Sequence, residues 1–497
     1  MVRPPSIITG KEMLTRFKVA GFKNLVDVDV YLGPFTCIAG GNGVGKSNLF
    51  DAIMFLSSLA DQPLIEAAMS VRDEAGRTTD IRSLFHLSGG AAFTGAMRLE
   101  AEMLIPHHGQ DDLGQDAEAS ITFLKYAVEL QFKPSGIDDV RPGLQLARES
   151  LEYINIGEAS RHLPFPHSTK WRKSVIHGRR TSPFISTSDD AATIRLHQEG
   201  RSGRTRSFTA DSLPRTVLST VNAAESPTAL LARRELQSWR LLQLEPSALR
   251  ASDSFTAPSI MGSDGSHLPA TLFHLARSKA HFTEGDLYAR VSNRLSELVD
   301  DVRAVAVKRD DARELLTLEV EGHDRTSHPA RSLSDGTLRF LALAVLEADP
   351  NTRGLICLEE PENGIHPQRI VSMVNLLGDL AVDTNDPVGI ENPLRQVIIN
   401  THSPTVVAQV PEGSLLLAER VERAVAGGRD SEVVFRCLSG TWRSNVTGSK
   451  PVQKGKVSSF LNPVRLDEEP SDGPLRVIQR KEFSQLQLPL EAVPLNE

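Results

Sequence analysis

The chain has 497 residues, 40% of them hydrophobic and 24% charged, with 63 acidic residues against 55 Lys and Arg and a net charge of −8. That is enough apolar material for one large domain or two to three ordinary ones, and the acidic balance argues against a uniformly basic nucleic-acid binder while leaving local basic patches open. No apolar run reaches the roughly 18 residues of a membrane span, the first ten residues lack the apolar segment of a secretory leader, and Cys37, Cys357 and Cys437 have no metal-ligand spacing, so no membrane and a reducing, cytoplasmic compartment are expected.

In chain order, Leu14 to Val19 and Val26 to Tyr31 read as strands, and Gly33-Pro34 turns the chain into a buried strand, Phe35 to Ala39. Then Gly40-Gly41-Asn42-Gly43-Val44-Gly45-Lys46-Ser47 fits the G-x-x-x-x-G-K-[ST] phosphate loop. Its glycines let backbone N–H groups wrap phosphates at the positive end of the next helix. Lys46 can reach the β- and γ-phosphates, and the Ser47 hydroxyl can take one position on Mg²⁺. The helix continues from Asn48 to Leu59 with Leu49, Ile53 and Leu56 on one face. A glycine-rich turn could match by chance. The strand before, the helix after and the intact Gly-Lys-Ser argue for a nucleotide cradle over Asn42, Gly43, Val44, Gly45, Lys46, Ser47 and Asn48. Thr122 to Phe132 and Leu144 to Ile154 alternate as two further strands, a hairpin on the same lobe, which spans residues 1–156.

From Gly157 to Arg215 the character changes: eleven Lys or Arg stand against five acids, interleaved with Phe165, Trp171, Phe184 and Phe208. This stretch, 161–215 in particular, reads either as a surface that meets DNA or RNA through phosphate contacts and stacking, or as a solvated insertion. Pro227 to Leu244 and Leu287 to Val302 read as helices, which completes an insertion over 157–303 that is first basic and then helical. Ala304 to Arg309 and Leu315 to Glu321 read as a hairpin, and no sustained heptad run predicts a coiled-coil arm.

The second lobe, 304–420, carries three pieces. Leu333-Ser334-Asp335-Gly336-Thr337 places Ser334 as the cap of a helix through Leu338, Leu341, Val345 and Leu346. By itself that is an ordinary cap or a second anion site. Gly354 to Leu358 is a buried strand ending in Glu359 and Glu360, which period two sends to opposite sides, one toward Mg²⁺ and one toward an attacking water. Gln396 to Asn400 is another buried strand, delivering Thr401-His402-Ser403-Pro404 to the same edge. A lone His is usually structural; at a strand tip beside an acid pair and a phosphate loop, His402 reads as a γ-phosphate contact. Residues 421–497 form a C-terminal extension, expected to be partly flexible.

Together these pieces resemble the ABC-type ATPases of the RecF/SMC kind, and within them the standalone AAA_21 ATPases related to the ATPase half of OLD nucleases. The resemblance rests on Phe22-Lys23-Asn24-Leu25, the Gly-Lys-Ser-Asn, Leu-Ser-Asp-Gly-Thr, Glu-Glu-Pro-Glu-Asn-Gly-Ile-His-Pro and Thr-His-Ser-Pro, over roughly residues 12–60 and 330–420. It implies an α/β ABC-type P-loop head, a mixed sheet flanked by helices, with a large α+β insertion between phosphate loop and signature motif. It implies that ATP and Mg²⁺ bind, Ser334 and Gly336 acting on the ATP of a second subunit. It makes Ser47 and Glu359 the Mg²⁺ residues (Glu359 directly or through water), Glu360 the catalytic glutamate, His402 the switch histidine and Asn363 to His366 the D-loop. Glu359 stands where Asp is usual and Asp335 replaces a common glycine. No Q-loop glutamine is assigned.

The resulting expectation is a homodimeric, ATP-hydrolysing switch on nucleic acid, in anti-phage defence with a separate effector such as a nuclease. RecF-like repair is the alternative. An OLD-like nuclease is disfavoured, since fewer than a hundred residues follow His402 and none forms the Asp-x-Asp of a TOPRIM domain. A transporter motor would need a membrane partner, and the intact Lys46, Glu360 and His402 disfavour a non-hydrolysing scaffold.

Overall fold

The computed structural model describes residues 12–452, except 74–75, 78–79, 89–91, 94, 135–142, 200–204, 279–283, 351, 353, 390 and 426–427, together with 457, 460 and 461. Met1–Gln453 forms one compact unit and Lys454–Glu497 a second, nearly all of it outside the described residues, as is most of the expected C-terminal extension.

The first unit is α/β and is built on two sheets. In chain order its principal elements are β1 (Met13–Phe22), β2 (Leu25–Tyr31), β3 (Phe35–Ala39), α1 (Lys46–Leu59), β4 (Ala96–Leu104), β5 (His108–Gln110), β6 (Asp116–Glu118), β7 (Phe123–Lys133), β8 (Gly143–Tyr153), β9 (Ile185–Thr187), β10 (Thr193–His197), β11 (Thr205–Thr209), α2 (Pro227–Ser238), β12 (Arg240–Leu242), α3 (Asp335–Ala348), β13 (Gly354–Glu359), β14 (Arg395–Thr401), β15 (Leu415–Val425) and β16 (Gly428–Cys437). An antiparallel sheet runs β11-β10-β9-β8-β7-β4-β1-β2, so the expected hairpin β7–β8 lies inside it and residues 185–209 extend it. The second sheet runs β12-β13-β14-β3-β15-β16, parallel up to the antiparallel pair β15–β16.

The sequences of the two sheets differ for a physical reason. β2 alternates, burying Leu25, Val28 and Val30 and exposing Asp27 and Asp29, because only one of its faces meets the core. β3 and β14 are buried at every position, as strands covered on both faces must be. Gln396 on β14 links the two sheets. Its amide oxygen accepts from the Leu14 N–H (3.0 Å), and its amide nitrogen donates to the carbonyls of Leu14 (2.7 Å) and Gly33 (2.9 Å). A buried amide so satisfied fixes register as well as contributing stability.

One expected element ends early. α2 stops at Ser238 instead of Leu244, and the chain continues as β12, pairing in parallel with Ile356–Leu358 of β13. A short apolar run such as Leu241-Leu242 fits either period, and an open sheet edge decides it. The hairpin over Ala304–Asp310 and Leu315–Glu321 forms in register where it was expected.

Candidate nucleotide site

Three neighbouring parallel strands end at one level. Glu359 lies opposite Asn400, Asn400 opposite Ile38, and Thr401 opposite Ala39. The chain therefore leaves β3 into the phosphate loop, β13 into the acids and β14 into His402 at one sheet edge, where α/β proteins place ligands.

The loop is formed by its own backbone. Lys46, 6% exposed, donates through Nζ to the carbonyls of Gly40 and Gly41, both at 2.8 Å, which curls the loop around the cation. Burial pulls the Lys46 ammonium below its usual range, against the carboxylates of Glu360, Glu362 and Glu359. Gly45 has φ 111°, and a Cβ there would stand 2.3 Å from the Asn24 side chain, so glycine is required. Asn24 holds the loop from outside: its Nδ2 donates to the Val44 carbonyl (3.1 Å), and its Oδ1 accepts from Asn48 (2.7 Å). Asn42, Gly43 and Val44 complete the loop, ahead of Ser47 on α1.

The two acids part company at the strand end. Glu359 accepts from Arg72 at both oxygens (2.7 and 3.0 Å) and from the Gln243 amide. Burial pushes its carboxyl up, and the bonds and charge of Arg72, with the Ser47 hydroxyl and the Gln243 amide, together bring it below the usual range. The Asn400 amide lies between Ser47 Oγ (3.4 Å) and Glu359 Oε1 (3.5 Å). A hydroxyl and a carboxylate bracketed in this way are hard oxygen donors that fit Mg²⁺. Glu360 does not follow strand alternation. It lies beyond β13 with φ 43°, an uncommon left-handed conformation for glutamate, fixed by its N–H, which faces the Asn400 side-chain oxygen at 3.0 Å. Its carboxylate accepts from His402 Nδ1 (2.8 Å) and from Asn363 Nδ2 (3.0 Å). Burial again pushes upward, and these two bonds with the nearby Lys46 and His402 bring the net shift down. Glu362 differs: at 8% exposure its carboxyl is pushed up by burial.

A polar cavity of about 310 Å³ is lined by Ser47, Gln243, Glu245, Glu359, Glu360 and Asn400, with Arg339 and Asn363 on its wall. Gln243, Arg72 and Arg339 went unread in the sequence. Gln243 was hidden inside an apparent helix, although the Leu-Leu-Gln after Trp239 is a short strand delivering a polar residue to the sheet edge. Arg72 lies in a segment without periodicity. Arg339 follows Ser334, the cap of α3, by five residues, and its Nε is buried with no hydrogen-bond partner among the described residues.

Ser334 caps α3 as expected, its Oγ accepting from the Thr337 N–H at 3.2 Å, and it is exposed. It does not line the cavity with Ser47. At Gly336 a Cβ would lie 3.1 Å from the Gly364 carbonyl, so the signature turn packs directly on the Asn363–His366 loop. Arg250 ties this turn down through Asp335 and the Leu333 carbonyl.

The basic stretch looks different from its sequence. Trp171, Phe165 and Phe184 are core residues and Phe208 packs partly buried against the core, so none is a stacking platform. Arg180 lies 3.8 Å over the Phe184 ring and pairs with Glu199, and Arg206 pairs with Glu225. Arg161, Lys170, Lys173, Arg179 and Arg195 remain exposed, while Arg201 and Arg204 lie outside the described residues. Among the described residues no helix is long and apolar enough to cross a membrane.

The family model AAA_21, described as "AAA domain, putative AbiEii toxin, Type IV TA system", matches residues 35–109 and 147–408. No curated protein matches the chain in sequence. Among solved structures, an Smc head bound to the C-terminal winged-helix domain of ScpA is similar at 12% identity and TM-score 0.42, over 86% of this chain and 98% of that one. An Smc head with an extended coiled coil, bound to a ScpA domain from Pyrococcus furiosus, is similar at 10% identity and TM-score 0.41, over 86% and 96%. The SMC head of Thermotoga maritima is similar at 12% identity and TM-score 0.36, over 85% and 98%.

Proposed function

The chain belongs to the AAA_21 family, and from that membership we propose that it binds and hydrolyses ATP with Mg²⁺, as a dimeric ABC-type switch. One observation carries the reading: Lys46 and Ser47, Glu359 and Glu360, and His402 leave three adjacent strands at one sheet edge. Lys46 and the loop N–H groups of Asn42 to Asn48 bind the phosphates. Ser47 and Glu359 would hold Mg²⁺, which supplies charge neutralisation on the β- and γ-phosphate oxygens. Glu360 orients the attacking water and accepts its proton. His402 donates Nδ1–H to Glu360, which couples the base to the residue proposed to contact the γ-phosphate. Asn363 positions Glu360 from the loop that carries Gly364.

Ser334 and Gly336 act on the ATP held by a second copy of the chain, which makes the working unit a homodimer with composite sites. The switch acts on nucleic acid through the exposed cations of 161–215, by phosphate contact without stacking. The family description speaks of a putative toxin, which favours a role in anti-phage defence with a separate effector over a RecF-like role in repair.

Lys46→Ala tests the binding half: nucleotide affinity, read by calorimetry, should be lost. Glu360→Gln tests the chemistry: ATP should still bind while phosphate release falls about a hundredfold or more, as expected for a lost general base. Undiminished binding by the first variant, or near wild-type turnover by the second, overturns the respective half.

A further inference from the structure

Packed against α2, the hairpin β5–β6 gathers three candidate ligating side chains. His108 lies directly opposite Glu118 in the antiparallel register, and the His107 carbonyl accepts from the Ala119 N–H at 2.8 Å, so the ladder fixes the backbone of all three residues. His107 Nε2 stands 3.7 Å from Glu118 Oε1, and the rings of His107 and His108 meet edge to face at 4.2 Å. One donor atom from each of His107, His108 and Glu118 lies within 4.8 Å of the other two. Bonds of about 2.0–2.2 Å around a tetrahedral ion put neighbouring donors roughly 3.4 Å apart. Closing the present arrangement onto an ion therefore takes side-chain rotations and no change of backbone.

From this geometry we infer that the hairpin is a binding site for a divalent transition-metal ion of the zinc class. Two imidazoles and one carboxylate form a donor set for Zn²⁺, Ni²⁺ or Co²⁺, and not for Mg²⁺ or Ca²⁺, which take oxygen ligands. The two neutral rings and single negative charge leave the loaded site with a net positive charge, and water can complete the coordination because the Glu118 side chain is 68% exposed. The ion enters from solvent and joins the two strands of the hairpin.

The position gives the ion something to hold. Gly109 approaches α2 so closely that a Cβ there would stand 2.6 Å from Leu231, and Asp112 of the same hairpin pairs with Arg234 at 2.6 Å. α2 in turn accepts from Ser57 of α1 through the Leu236 carbonyl (2.6 Å) and leads into β12, which ends at Leu242, one residue before Gln243, whose amide donates to Glu359. A hairpin stiffened by metal thus braces the helix that leads, through β12, to Gln243.

The test uses the full chain, freed of metal by chelation and titrated with Zn²⁺ in competition with a chromophoric chelator, with millimolar Mg²⁺ present to occupy oxygen sites. One Zn²⁺ per chain is expected, with affinity lowered about tenfold or more in His108→Ala and in Glu118→Gln. Both residues are exposed, and equal melting temperatures without metal show that the variants fold. Lys46→Ala should bind Zn²⁺ as the wild type does, which keeps this result separate from the nucleotide site. No stoichiometric binding, binding undiminished in both variants, or displacement by Mg²⁺ would each overturn the inference.

Discussion

Replacing Ser334 by Arg tests whether two chains share each nucleotide site. Ser334 is exposed and its Oγ serves the Thr337 N–H at 3.2 Å, so the substitution removes a helix cap, a loss of ~1 kcal/mol that leaves the fold standing. Lys46 and Ser47 are untouched, and Ser334 lies outside the cavity that Ser47 lines, so ATP should bind the variant with wild-type affinity. Hydrolysis should collapse if Ser334 meets the ATP of a second chain, because an arginine side chain there would clash with that γ-phosphate. Mixing Ser334→Arg with Lys46→Ala chains then gives a quantitative expectation. About half the dimers of an equal mixture are mixed, and each pairs two damaged halves at one site and two intact halves at the other. About a quarter of wild-type turnover should return if the two sites fire independently. The assay is steady-state phosphate release, with light scattering to show that mixed dimers form. Wild-type turnover by Ser334→Arg alone, or full hydrolysis by a proven monomer, would refute the shared site.

Two further outcomes follow from the surface and the core. Lys170, Lys173 and Arg179 changed together to Glu should weaken nucleic-acid binding and flatten its salt dependence by about 0.9 in log–log slope for each phosphate no longer neutralised; binding absent in the wild type, or unchanged in the variant, would make this face a solvated surface. Glu149 is fully buried, and burial pushes its carboxyl up to about 7 against bonds from the Val217 and Leu218 N–H groups and the Tyr126 hydroxyl. The folded state therefore holds this proton more tightly than the unfolded chain. Its contribution to stability is complete below about pH 4.5 and falls by roughly 3 kcal/mol as pH rises to about 7. Glu149→Gln should flatten the urea-unfolding free energy across that window, and an unaltered slope would assign the pH dependence elsewhere.

The parts of the site legible in the sequence are those whose chemistry constrains adjacent residues. A phosphate loop needs its glycines and lysine in one octapeptide, and a buried parallel strand ending in polar residues announces both its burial and its delivery point. Phe35–Ala39, Gly354–Glu359 and Arg395–Thr401 could therefore be read almost to the residue. Gln243, Arg72 and Arg339 could not, because each reaches the site through tertiary placement. Gln243 needs the open edge of β13 to turn an apparent helix into a strand. Arg72 follows α1 with no pattern of its own, yet bridges Asp51 and Glu359. The aromatic residues of 157–215 misled in the opposite direction: charge around Trp171 and Phe184 suggested a surface, whereas the rings are inward and only the cations face water.

The position of β3 in its sheet has a consequence for how the protein is made. β3 lies between β14 and β15, with Ile38 level with Asn400 on one side and Leu416 on the other. A nascent chain that has exposed its phosphate loop still lacks both neighbours of the strand behind it, and must extend about 350 residues further before either begins. The antiparallel sheet, whose last strand ends at residue 209, has all of its strands well before then. Synthesis thus postpones the candidate nucleotide site until β14 and β15 have been made. A ribosome-bound chain that has not reached β14 carries the phosphate-binding motif without the two strands that flank β3 in the finished sheet.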